Sequence, residues 1–507
     1  MSEAPDSVLD HDLRCPSGID GFDEITGGGV PADYFYLIQG DPGSGKTTLA
    51  LQFLLEGVRR GEKVFYITLS ESKRELLKVA RSHGWSLENV PLMELSAIEA
   101  LLRPESQNTV FHTSEVELGK VSRLLKDELR RIRPARVVFD SLSEFRLMAE
   151  TSLRYRRQLL ILKEEFAAAG STVLLLDDKM SNENIGADPH ILSLAHGVVE
   201  MEQLSPNYGT SRRRLRVLKM RGVEFSEGYH DYTIVSGGLR IFPRLVAGEH
   251  RSDTGPEPVS SGLKPFDDLL GGGFDRGTTA LIMGSAGTGK TTLALQYAAE
   301  MSKRGECAMV LTFDETLRVM LARAKQLGID IEPGVQRDLV KIAQLDPAEI
   351  SPGEFVDRIV RGVEDGCKLV VIDSLNGYLN AMPGEQYLMA QLHELTAYLN
   401  QQGVVTIIVM ALHGLTASMS APMDLSYLAD TVVMLQHFEA AGEIKQAIAV
   451  VKKRSGAHEK AVREFKLETG RGIQIGAPLR QFRGILSGTP TFDGNADRMM
   501  KAGDAPQ

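Results

Sequence analysis

The sequence predicts an α/β protein made of two tandem domains, each a mainly parallel sheet flanked by helices. Three observations carry that prediction. First, the chain is written twice. SGIDGFDEITGGG begins at Ser17 and SGLKPFDDLLGGG at Ser261, and GDPGSGKTTLALQF at Gly40 returns as GSAGTGKTTLALQY at Gly284, both at an offset of 244 residues. A period this long marks domain duplication, not a solenoid of short repeats. Second, short β-rich runs alternate with helical periodicity, as parallel strands joined by crossover helices require. Third, a G-x-x-x-x-G-K-[ST] run follows a strand and opens a helix in both copies.

The repeat continues down the chain. RVVFDSL, ending its strand in Asp140, matches LVVIDSL with Asp373, and LKMRG with Lys219 matches VKKRS with Lys452; both pairs are 233 residues apart. One net indel of 11 residues therefore lies between Glu71 and Asp140. The expected domains are 14–246 and 258–487, with a polar Pro- and Gly-containing linker at 247–257 and a loose tail at 488–507.

Each element of the first copy has its reason. Tyr34–Gln39 is an apolar, buried-strand run. Gly40–Thr47 is the phosphate loop, where Gly43, Ser44, Gly45, Lys46, Thr47 and Thr48 turn backbone N–H groups inward, and the second copy offers Gly287, Thr288, Gly289, Lys290, Thr291 and Thr292. The lysines reach phosphate oxygens, and Thr47 and Thr291 ligate Mg²⁺. Lys46–Arg60 reads as a helix with Leu49, Phe53, Leu54 and Val58 on one face. Lys63–Leu69 is the second strand, followed by Ser70-Glu71, or Asp314-Glu315 in the second copy, where a carboxylate can polarise an attacking water. Arg136–Asp140 and Thr172–Asp177 are further buried strands. Asp140 and Asp373, at the carboxyl ends of their strands, face the crevice and hold Mg²⁺. Lys219 and Arg221, like Lys452 and Arg454, project to one face of a strand and can complete a phosphate site across a subunit boundary. An exposed basic strand edge is the plainer reading, but recurrence at the offset of the strand-ending Asp favours the phosphate role.

Composition sets limits. Lys and Arg total 57 against 67 Asp and Glu, a net charge of −10, and aromatics are 6%, which argues against a basic, base-stacking surface for nucleic acid. Arg154–Arg157 and Arg212–Arg214 read as solvated basic faces. Cys15, Cys307 and Cys367 are odd in number and far apart, so no disulfide framework or zinc site is expected and a reducing cytoplasm fits. No apolar run approaches the roughly 18 residues of a membrane span, and the start MSEAPDSVLD lacks a secretory h-region.

The SG-x-x-x-[FL]-D-x-x-x-GGG lead into a phosphate loop, the acidic pair, the Asp-ended strand and the late Lys-x-Arg resemble RecA-like ATPases. Their tandem arrangement resembles the KaiC family of two-lobed circadian clock ATPases and autokinases. VARSHGW (Val79–Trp85), LKMRG, AVREF (Ala461–Phe465) and ILSGTP (Ile485–Pro490) add to the likeness, which spans about residues 14–490. The resemblance implies tandem RecA-like P-loop domains, ATP and Mg²⁺ as cofactors, and a two-tiered homohexamer with nucleotide between protomers. It implies ATP hydrolysis in the first half, serine/threonine autokinase activity in the second, and a KaiB-like or response-signalling partner. Lys219, Arg221, Lys452 and Arg454 would then reach a neighbour's nucleotide.

Two departures stand out. The family's Glu-Glu is Ser70-Glu71 here and Asp314-Glu315 in the second copy, leaving Glu71 as the base in the first half, with Asp314 and Glu315 in the second. The family's Ser-Thr phosphoacceptor pair is Ser426-Tyr427, leaving Ser426 as the acceptor. Two other function classes compete: an ATP-dependent assembly scaffold with little catalysis, supported by Ser70, and a nucleic-acid motor, disfavoured by the charge.

Overall fold

The computed structural model describes residues 13–95, 113–149, 151–179, 189–206, 209–249, 257–346, 348–380, 387–412, 427–440, 442–487 and 490–492. The chain divides into two compact units that meet in sequence at Arg244 and Leu245.

In the first unit the strands are β1 (Phe35–Gly40), β2 (Val64–Thr68), β3 (Leu92–Glu94), β4 (Arg136–Asp140), β5 (Thr172–Asp178), β6 (Gly197–Leu204), β7 (Arg212–Met220), β8 (His230–Val235) and β9 (Gly238–Phe242). They form one sheet in the order β3-β2-β4-β5-β1-β6-β7-β8-β9. Pairing is parallel from β3 to β6 and antiparallel from β6 to β9. The helices include α1 (Lys46–Arg59), α2 (Lys73–Ser82), α3 (Thr113–Ile132), α4 (Leu142–Ala149) and α5 (Ser152–Ala168).

The second unit repeats this plan. Its strands are β10 (Thr279–Gly284), β11 (Cys307–Thr312), β12 (Val340–Gln344), β13 (Cys367–Asp373), β14 (Val405–Ala411), β15 (Thr431–Ala440), β16 (Glu443–Lys453), β17 (Arg463–Glu468) and β18 (Gly472–Pro478). The order β12-β11-β13-β14-β10-β15-β16-β17-β18 is that of the first sheet, strand for strand. Its helices include α6 (Lys290–Lys303), α7 (Leu317–Gln326), α8 (Pro352–Glu364) and α9 (Leu388–Gln401). These are two tandem RecA-like P-loop domains, the fold class the sequence predicts.

The central strands are apolar throughout because both sheet faces are covered. Tyr36 and Ile38 of β1 join one core with Leu49, Phe53 and Leu54 of α1, while Phe35 and Leu37 join the other with Phe139 and Phe166. Burying Leu49, Phe53 and Leu54 stabilises the fold by about 1.5–3 kcal/mol each, so α1 is pinned where it leaves the phosphate loop. β1 is the switch point: its neighbours β5 and β6 lie on opposite sides, and a crevice opens at its carboxyl end.

Three expectations need correction. The domain boundary precedes the expected linker: Leu245 packs on the second unit's core, Ala247 is buried in it, and Ala247 N–H donates to Glu394 at 3.2 Å. A buried, hydrogen-bonded segment is part of a domain despite its polar sequence. Within the tail, Thr491–Phe492 pairs antiparallel with Phe482–Arg483. The cysteines are not all far apart. Cys307 and Cys367 are register partners on neighbouring β11 and β13, with Cα atoms 4.4 Å apart, and are joined as a disulfide. Spacing of 60 residues hid a contact made by strand pairing. Among the described residues, no helix is long and apolar enough to cross a membrane.

Candidate nucleotide sites

Each phosphate loop leaves the carboxyl end of the central strand and enters a helix. Gly43 and Gly45 have φ of 82° and 94°, and Gly287 and Gly289 have 76° and 95°, the left-handed region that glycine enters without steric cost. Close approach matters as much: a Cβ on Gly40 would lie 2.4 Å from Met201 O, and one on Gly284 2.1 Å from Leu435 O. Lys46 Nζ donates to Gly40 O and Asp41 O at 2.9 and 3.0 Å and pairs with Asp178 at 2.9 Å. Lys290 is buried and donates to Ser285 O at 2.7 Å. Ser44 Oγ is buried with no hydrogen-bond partner among the described residues. Inward-turned loop, lysine and orphaned hydroxyl fit a phosphate chain.

Asp140 and Asp373 end β4 and β13 beside the loops, and the Asp–Ser peptide that follows each is cis. Tyr66 Oη donates to Asp140 Oδ2 at 2.6 Å. Burial raises the Asp140 carboxyl above its usual range and the Asp178 charge adds to it, while Tyr66, Lys46 and Thr47 oppose. Burial also raises Asp373, against Thr291 and the Arg323 and Lys290 charges. Among the described residues no group of three or more His, Cys, Asp or Glu side chains is built for a metal ion. One Thr hydroxyl and one Asp per site suit Mg²⁺, which keeps waters and leans on phosphate oxygens.

The acidic pairs behave differently in the two units. Thr68 Oγ1 donates to Glu71 O and accepts from Glu71 N–H, and Thr312 makes the same two bonds with Glu315. The backbone turn is therefore shared. From it, the Glu71 side chain goes toward Thr47 and Asp140. Burial, then the Asp140 and Glu75 charges, raise its carboxyl to about 7, and Oε2 is buried without a hydrogen-bond partner. Glu315 instead pairs with Arg323 at 2.8 Å. Asp314 accepts from Ser374 Oγ at 2.6 Å, and its charge acts on Asp373.

The Lys-x-Arg pairs sit at the other end of each sheet. Lys219 is in register with Val198 and, through it, with Leu37, so Lys219 and Arg221 lie toward the amino end of β1, away from the phosphate loop. Lys219 donates to Leu192 O and Ala195 O, and Arg221 to Ser193 O. Lys163 joins them through Leu194 O. None of these three cations is paired with a carboxylate among the described residues, and their mutual repulsion lowers the Lys219 and Lys163 ammonium groups after burial does. In the second unit Lys452 donates to Ala429 O, and Arg454 meets Asp430 and Tyr427 O.

Ser426 lies outside the described residues. Sequence reasoning missed Asp178, Arg323 and Lys163. Asp178 was readable, since it ends a strand next to β1 much as Asp140 does; the other two are placed by helix packing. Arg214 is not a freely solvated charge: it pairs with Glu202 at 2.9 Å and stacks 4.0 Å from the Tyr229 ring centre.

A family model described as "ATPase: KaiC" matches residues 15–246 and again 259–480. The circadian clock oscillator protein KaiC of Acaryochloris marina (strain MBIC 11017) is 28% identical over 493 residues, covering 93% of this chain and 90% of that protein. That of Synechococcus elongatus is also 28% identical, over 489 residues, covering 93% and 91%. Circadian clock protein KaiC3 of a Synechocystis species is 26% identical over 499 residues, 97% of each chain.

Proposed function

The chain belongs to the KaiC family of ATPases, and from that premise we propose that it hydrolyses ATP at two sites per chain, each completed by a neighbouring copy in a homohexamer. The observation that supports hydrolysis best is Glu71, whose buried, unpartnered carboxylate oxygen stands beside Thr47 and Asp140.

In this reading Gly43–Thr48 and Gly287–Thr292 hold the phosphates, and Lys46 and Lys290 exchange their carbonyl partners for β- and γ-phosphate oxygens. Thr47 with Asp140, and Thr291 with Asp373, would hold Mg²⁺, which supplies charge neutralisation on the phosphate oxygens. Glu71 takes a proton from water as its oxygen bonds to the γ-phosphorus and the bond to the ADP oxygen breaks. A carboxyl raised to about 7 suits a base near neutral pH. Asp314 and Glu315 are the corresponding carboxylates of the second site.

Lys219 and Arg221 face away from their own phosphate loop, which supports their acting on a neighbour's nucleotide, as Lys452 and Arg454 would. Loss of the γ-phosphate then changes contacts between protomers and so couples nucleotide state to a signalling partner. A clock role, a KaiB-like partner, a cytoplasmic setting and autophosphorylation at Ser426 belong to the same proposal.

The test is phosphate release by the full chain and by a Glu71→Gln/Asp314→Asn/Glu315→Gln variant. Release in the first and background in the second is expected. Background in both, with ATP still bound, would leave a nucleotide-dependent scaffold. Phosphosite mapping after incubation with Mg-ATP tests Ser426, and a clean chain removes the autokinase reading.

A further inference from the structure

The two units present one backbone turn with two side-chain outcomes. Thr68 and Thr312 fix Glu71 and Glu315 by the same pair of hydrogen bonds. The difference arises one helix later. The position 244 residues before Arg323 is Val79, which packs against the first unit's core. An aliphatic residue there leaves Glu71 free to turn toward Thr47 and Asp140. Arg323, in the last turn of α7, captures Glu315 at 2.8 Å.

Arg323 also looks toward the site. Its Nε is buried with no hydrogen-bond partner among the described residues, and its charge acts on Asp373. The carboxylate beside Asp373 is then Asp314, held by the Ser374 hydroxyl at 2.6 Å. The ion pair holds Glu315 Oε2 at the Arg323 guanidinium, and an oxygen engaged there is out of place to take a proton from a water beside Asp373.

We propose that Arg323 is a positioning residue that withholds Glu315 from the second site, leaving hydrolysis there to Asp314 and keeping it slow. This rests on the reading of both sites as ATPases. With Val79 in the equivalent place, the first site carries no such restraint, so the duplicated domains differ in rate through a residue outside every phosphate-binding motif.

The test uses the full chain with the first site silenced by Lys46→Ala. Adding Arg323→Val should raise kcat for phosphate release about tenfold, less than the roughly 10²–10⁴ of a fully positioned base because Asp314 already acts there, with KM for ATP unchanged. Arg323→Lys, which keeps a cation on Glu315, should give a smaller gain. Adding Glu315→Gln to Arg323→Val should abolish the gain, which a merely structural loosening of α7 would not do. Unchanged or reduced kcat in Arg323→Val with ATP still bound overturns the proposal, as does a gain that survives Glu315→Gln. Background release in every chain, the wild type included, overturns the ATPase reading as well, so the two failures are distinguishable.

Discussion

The proposed role of Glu71 as the first site's base has a consequence at position 70. Ser70 carries no carboxylate, so on that proposal general-base chemistry falls to one side chain, and its loss removes the whole contribution. Glu71→Gln keeps size and hydrogen bonding but cannot take a proton, so first-site phosphate release, measured with the second site silenced by Lys290→Ala, should drop by about 10²–10⁴. ATP affinity should change little; a rate within twofold of the parent would exclude Glu71 as the base. His230 supports a second prediction. It is fully buried, Nε2 meets Ser226 O at 3.1 Å and Nδ1 accepts from Arg244 N–H at 2.9 Å, so the ring is neutral. Burial, and to a lesser degree the Arg244 charge, push it from 6.5 down to about 4. A depressed folded value means that the unfolded chain takes up the proton first. The stabilisation is complete above pH 6.5 and is lost as pH falls toward 4, by about 3 kcal/mol in all. Unfolding curves of wild type and His230→Gln should therefore converge between pH 7 and 4; a constant difference would refute the buried neutral ring.

The phosphate loop is set by what its strand and helix leave no room for. A methyl on Gly284 would collide with Leu435 O on β15, a backbone atom that cannot rotate aside. Gly284→Ala should cost about 1–3 kcal/mol of second-unit stability and weaken ATP binding there, read by thermal unfolding with and without ATP. Equal ATP stabilisation in variant and parent would show that the loop tolerates the shift. Elements of this kind were legible beforehand. β1, β2, β4, β5 and α1 fall within one residue of their expected bounds, because continuous apolar runs, helical periodicity and a motif with a strict backbone requirement all act locally. What stayed hidden depends on packing between segments distant in sequence. The Cys307–Cys367 pairing follows from β11 lying beside β13, Arg323 meets Glu315 across the start of α7, and Leu245 and Ala247 belong to the second unit because of what they touch.

At the scale of the whole molecule, the decisive feature is the length of the sheet between the phosphate loop and the Lys-x-Arg pair. Lys219 is level with Leu37, three residues before Gly40, and Arg221 lies further still. At about 3.3 Å per residue along a strand, that places Arg221 well over 10 Å from its own loop, beyond the roughly 7 Å reach of an arginine side chain built from bonds of this scale. Arg221 with Lys163 and Lys219 forms a cationic cluster with no carboxylate partner among the described residues, a face suited to another copy's phosphates. Arg454 is held by Asp430 at 3.4 Å, where the first unit has His196, the residue whose carbonyl accepts from Arg221 N–H as that of Asp430 accepts from Arg454 N–H, so the first-unit face lacks that carboxylate and is the more available of the two. If Arg221 acts on a neighbour, Lys46→Ala and Arg221→Ala chains are each defective for a different reason. All copies of the first lack a working loop, and all copies of the second lack a working cation. Mixed and reassembled, some interfaces join an intact loop from an Arg221→Ala chain to an intact Arg221 from a Lys46→Ala chain. First-site phosphate release should then rise above that of either variant alone, to as much as about a quarter of wild type for random assembly, since half of the loops and half of the cations are intact. Without exchange between assemblies there should be no gain. A mixture that never exceeds its components, despite demonstrated subunit exchange, would place Arg221 on its own chain's nucleotide and overturn the shared-site arrangement.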